Sequence, residues 1–145
     1  MSVPTWNREL SKTQYLFDTY KLAIRIGEIV MRKPTKYRPT YGDRLINDSL
    51  NAYRYAYYAN SIFMGETTSE EDYKRRREYL RNAMLLIDGL STTADIFLSL
   101  NYNLDGANKD QLNRQYEYIG SATASIHKMI KGVMDSDTKV FKGKK

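Results

Sequence analysis

The chain of 145 residues contains no cysteine, so disulfides and thiolate metal sites are excluded and a reducing compartment is expected. It contains one histidine, His127, with no carboxylate or cysteine at ligand spacing along its own segment. That pattern predicts a surface or half-buried structural histidine. No G-x-S-x-G, Walker A, H-E-x-x-H or G-x-G-x-x-G pattern occurs. Asp88 and Asp95 share a helix face, but no Glu-x-x-His motif accompanies them to build a di-metal site. General acid–base work needs a poised partner, and none is visible. The expectation is a non-enzymatic protein with no cofactor and no metal. No stretch approaches the roughly 20 apolar residues of a membrane span, and "MSVPTWNREL" lacks an apolar core of signal-peptide length. A soluble cytoplasmic protein without a membrane partner is expected. Strand-like alternation is missing too, which leaves helix.

Helical periodicity is plentiful. Four segments predict helices over about 12–33, 41–63, 69–102 and 109–134, each with capping-box spacing at its start: Ser11 with Gln14, Thr40 with Asp43, Thr68 with Glu71, and Asn108 with Gln111. The expected seams are Leu16, Tyr20, Ala23, Gly27 and Val30; then Leu45, Ser49, Ala52, Ala56, Ala59 and Phe63. The third is Tyr73, Leu80, Met84, Ile87, Ser91, Ala94 and Leu98, and the fourth Leu112, Tyr116, Ile119, Thr123, Ile126, Ile130 and Val133. Short links such as "MGETT" and "NLDGAN" force antiparallel neighbours. The fold class is therefore all-α, an up-down-up-down four-helix bundle over 11–134. Residues 1–10 form an N-terminal arm in this scheme, and 135–145 a basic flexible tail. Leu86, Leu90, Ile96, Phe97 and Leu100 fall outside the third seam, and this second apolar face predicts subunit contact.

Charge is unevenly spread. The net charge is +6, yet residues 1–60 carry ten Lys/Arg against five Asp/Glu, while 61–110 carry six against nine. A basic balance favours either polyanions or plain solubility. One cation cluster runs from Arg25 through Arg32, Lys33, Lys36 and Arg38 to Arg44, with Arg54 further on; arginine forks suit phosphate oxygens. The other possibility for Arg38 and Arg44 is pairing with Asp43, Asp48 or Glu28 inside the fold. A second cluster, Arg75, Arg76, Arg77 and Arg81, sits among acids, so it is either a binding patch or a solvated face of local ion pairs. There are thirteen tyrosines, four of them in "YRYAYYAN". Tyr53 and Tyr57 share one helix side and Tyr55 and Tyr58 another. They suit a protein interface with a wet edge, or stacking on unpaired bases.

The stretch "KPTKYRPTYGDRLINDSLNAYRYAYYAN" (33–60) has a basic loop, an aromatic-Arg pair, a Thr, and Gly-x-Arg-Leu opening a helix. The positions are Lys36, Tyr37, Arg38, Thr40, Gly42, Arg44 and Leu45. With the upstream "YKLAIRIGEIVMRKP", this resembles the Avd-like branch of small bacterial four-helix-bundle proteins. These are the accessory variability determinants of diversity-generating retroelements, together with relatives encoded in intervening sequences of large ribosomal RNA genes. The resemblance implies a basic homopentameric barrel that binds a reverse transcriptase and its template RNA or RNA/DNA, supporting error-prone cDNA synthesis. On that reading Tyr37, Arg38 and Arg44 are the matched positions least explained by packing, whereas Thr40 caps a helix, Gly42 permits close approach and Leu45 is core. The other branch implies a structural or protein-interaction bundle with no RNA role of its own.

Overall fold

A computed structural model describes residues 13–143, and within them the chain forms four helices. They are α1 (Gln14–Met31), α2 (Asp43–Asn60), α3 (Glu70–Tyr102) and α4 (Lys109–Lys142). Each helix packs on the next, and α1 closes the ring on α4, which makes a four-helix bundle. The arm at 1–10, the Ser11 cap, and Lys144 and Lys145 lie outside the described residues.

Start signals are partly as expected. Asn108 caps α4, its Oδ1 accepting from the Gln111 amide at 3.1 Å. At α3 the cap is Ser69 rather than Thr68: its Oγ accepts from the Asp72 amide at 3.1 Å. Thr68 turns inward instead, its hydroxyl donating to the Phe63 carbonyl and accepting from the Gly65 amide. Thr40 does not cap α2. It sits in a π-helical turn, Arg38–Gly42, that runs straight into α2, and the Asp43 amide donates to the Arg38 carbonyl. A helix entered from another helical turn has backbone acceptors already in place, so no side-chain cap is needed.

The core follows from residue size. On α2, Leu45, Ser49, Ala52, Ala56 and Ala59 are buried as expected, while Phe63 lies past the helix end and is 75% exposed. The α1 stripe differs from expectation: Tyr15, Thr19, Leu22, Ile26, Ile29 and Val30 are buried, and Tyr20 is exposed. Two apolar stripes lie close together on α1, and the bulkier branched one faces inward. On α3, Leu90 and Phe97 join Leu80, Ala83, Ile87, Ala94 and Leu98 in the core, so the expected second face is reduced by two members. Ile96 remains exposed on it, with Leu86 and Leu100 half-buried. Gln115 and Met134 replace Tyr116 and Val133 on the α4 seam. Gly42 is buried where an added Cβ would sit 2.8 Å from Val30 Cγ1, so close approach does require glycine there.

The expectation of a flexible tail at 135–145 is corrected, because α4 continues to Lys142. Asp137 and Thr138 bond to α3, and the Phe141 ring stacks on Tyr73 with centroids 4.2 Å apart. These contacts prolong the helix after the aliphatic repeat thins. One helix, α3, is also long and apolar enough to cross a membrane, with a window of mean hydropathy 1.4, although the sequence holds no unbroken apolar run of that length. A third of that window is buried in the bundle core.

Candidate nucleic-acid interface

After α1 the chain passes Pro34 and a 3₁₀ turn, Thr35–Tyr37, before the π-helical turn. Proline cannot continue the helix, so α1 stops here with orphan carbonyls. Arg38 meets two backbone oxygens at this end: its Nη2 donates to the carbonyls of Met31 and Lys33, each at 3.1 Å. A cation at a helix C-terminus also opposes the helix dipole. Arg38 thus clamps the loop through backbone oxygens rather than through Asp43, Asp48 or Glu28, and its Nε is buried without a partner. Tyr37 is half-buried against the core, with the Lys36 ammonium 5.4 Å from its ring centroid.

The other cations of the first cluster are differently placed. Arg32 approaches Glu28 and Arg44 approaches Asp48, both at 3.8 Å and both through exposed arginine side chains. Pairs of this kind contribute about 0.2–0.5 kcal/mol and exchange readily for another anion. Arg25 lies 5.9 Å from the Tyr118 ring centroid, toward α4. Arg54 is exposed on α2 with no ion pair among the described residues, one turn from Leu50 and from Tyr58. Lys33 is the exception, only 9% exposed, and desolvation lowers its pKa. The structure therefore gathers Arg32, Lys33, Lys36, Arg38 and Arg44 at one junction and leaves Arg25 and Arg54 along the bundle wall.

The second cluster is not a patch. Arg76 is half-buried, its side chain 11% exposed: its Nε donates to Asp137 Oδ2 at 2.6 Å, and its Nη1 donates to the carbonyls of Ala59 and Ile62. Arg77 donates to Thr138 Oγ1, while Arg75 pairs with Asp72 and Arg81 with Glu78 at the surface. Tyr15 lies in the same end of the bundle, its hydroxyl buried without a partner. Burial pushes that phenol up to about 12, Arg76 working against the shift and Asp137 with it, so it stays neutral at physiological pH.

The tyrosines form a continuous ribbon across three helices. Tyr20 of α1 contacts Tyr53 at 5.5 Å between centroids, Tyr53 contacts Tyr57, Tyr57 contacts Tyr58, and Tyr58 and Tyr55 both contact Tyr79 of α3. Residue order alone does not nominate Tyr20 or Tyr79 for this ribbon. Only tertiary packing brings them to the "YRYAYYAN" segment. His127 is half-buried as expected, and a carboxylate from another helix faces it: Asp88 Oδ1 of α3 lies 2.7 Å from its Nδ1. Among the described residues no group of three or more His, Asp or Glu side chains is placed to hold a metal ion. Compared with known proteins, the chain matches no family model, no curated protein and no solved structure.

Proposed function

We propose that this chain is a non-enzymatic, cytoplasmic accessory protein of a diversity-generating retroelement. In this role it binds the reverse transcriptase and its template RNA or RNA/DNA and supports mutagenic cDNA synthesis. The observation that carries the reading is the junction between α1 and α2. Cations there carry either weak surface pairs or no acidic partner, whereas Arg76 and Arg77 of α3 are held inside the fold by a carboxylate, carbonyls and a hydroxyl, and only Arg75 and Arg81 keep surface pairs. An unneutralised cluster in a loop can follow a phosphate backbone. The tyrosine ribbon, further along α1 and α2 and onto α3, offers faces for unpaired bases. Assembly into a pentamer is part of the proposal. Exposed Phe17, Tyr20 and Ile24 on α1, with Leu50 and Tyr57 on α2, supply apolar surface for it.

One observation favours the second reading, a structural bundle related to the ribosomal-intervening-sequence proteins. Arg38, a matched position, spends its guanidinium on helix-end carbonyls. Affinity purification of the tagged protein from its native host, with and without nuclease, separates the two. Recovery of a reverse transcriptase together with a discrete RNA is expected. Recovery of the bundle alone in both preparations would favour the structural alternative.

A further inference from the structure

We propose that residues 1–12 fold back into the open cavity at the start of α1, with Trp6 seated in it as an anchor. This goes beyond the RNA-binding reading and does not depend on it, since the basic junction lies past the other end of α1.

The cavity measures about 550 Å³ and lies between the start of α1, the α2–α3 connection and the last turns of α4. Its walls are chiefly apolar, with Ile62, Phe63 and Met64 from the connection and Met129, Val133 and Val140 from α4. Phe63 is 75% exposed and Val140 39% exposed, so apolar surface at this site still faces solvent. The two charges in the lining cancel, because Arg76 and Asp137 pair at 2.6 Å. The Arg76 guanidinium is further committed to the Ala59 and Ile62 carbonyls, which leaves no charge for an ionic ligand to meet. An apolar occupant is what the site selects.

The chain supplies one at the rim. Thr13 and Gln14, where the described residues begin, themselves line the cavity, so residues 1–12 join the bundle at this spot. Among those twelve are Val3, Pro4, Trp6 and Leu10, and Trp6 is the one tryptophan of the sequence. Trp6 stands seven positions before Thr13. An extended chain covers up to about 25 Å over that separation, so reach is no obstacle. The volume falls within the roughly 300–1,000 Å³ of pockets that hold small organic molecules, which admits an indole. Asn60 and Ser136 line the same cavity and supply oxygen acceptors for the indole N–H, which takes a partner when buried. Tethering decides between occupants. A segment on a short linker competes at an effective concentration on the order of millimolar, ahead of a second copy or a free apolar molecule.

The experiment is tryptophan fluorescence of the full chain, excited where tyrosine does not absorb, so that Trp6 alone reports. Docking predicts emission at shorter wavelength than in the urea-unfolded chain, and acrylamide quenching several-fold weaker. Gly132→Leu is the test of place. Gly132 shares the cavity-lining face of α4 with Met129, Val133 and Ser136, and an added Cβ there meets no atom within 4 Å. Leucine is also the better helix former, so the fold survives the change. This variant should shift Trp6 emission to longer wavelength and restore quenching, and Phe63→Ser should do so in part. Wild-type emission and quenching equal to those of the unfolded chain overturn the proposal. So does shielding that persists undiminished in both variants. Shielding that disappears on dilution assigns the cavity to a second copy and overturns the intrachain assignment.

Discussion

Arg38 and Arg76 use one device at two places. Each donates to two carbonyls at the C-terminal end of an earlier helix, Met31 and Lys33 for α1, and Ala59 and Ile62 for α2. The difference lies in what balances the charge. Arg76 is sealed against Asp137, both side chains about one-tenth exposed, so that end of the bundle is internally neutralised. Arg38 has no carboxylate partner among the described residues, and Arg32, Lys33, Lys36 and Arg44 crowd the same junction. A fold that needs only a helix clamp can build it as at Arg76. At Arg38 the clamp leaves its positive charge outstanding, and that surplus is what a polyanion can use.

The largest expected effect comes from breaking the neutralised clamp. Asp137→Ala leaves a buried guanidinium unpaired and should cost about 3–5 kcal/mol, measured by urea unfolding. It should also loosen the end of α4, seen as faster amide exchange around Thr138. Arg38→Ala, at the unneutralised clamp, should cost less, about 1–3 kcal/mol, since its hydrogen bonds are nearer solvent. Equal effects for the two variants would erase the distinction drawn between the junctions.

Lys33 adds a smaller, pH-dependent term. Its folded pKa is lowered by desolvation, so the unfolded chain holds the proton more tightly than the folded one. Below the folded pKa the penalty is complete; as pH rises from there toward the ordinary lysine value of 10.5 the wild type gains stability. Lys33→Met should therefore be the more stable protein at neutral pH, with its advantage shrinking in the alkaline range. An advantage that grows with pH has the wrong sign for this account. Smallest of all for stability is the combined Arg32→Gln, Arg44→Gln, Arg54→Gln variant, which should unfold within about 1 kcal/mol of wild type.

The bundle is legible in sequence where one stripe has no rival. The small residues Ser49, Ala52, Ala56 and Ala59 admit a single packing face, and they are buried as expected. On α1 the stripes through Tyr20 and through Leu22 are both apolar, and periodicity alone does not choose between them. The extension of α4 is hidden because Asp137 looks like a surface residue until Arg76, 61 positions earlier, is placed beside it. Basic composition locates the first cluster, yet not the roles within it. Arg38 and Arg76 depend on backbone oxygens of other segments, which carry no mark in the residues supplying them.

The most direct test of the central claim is the salt dependence of RNA affinity for the wild type and the Arg32/Arg44/Arg54 triple variant. Wild type should show a steep linear fall of log affinity with log salt. The variant should show a slope shallower by about 0.7–0.9 for each phosphate it no longer neutralises. Identical slopes, or a wild-type affinity no greater than that of a charge-matched control protein, would contradict it.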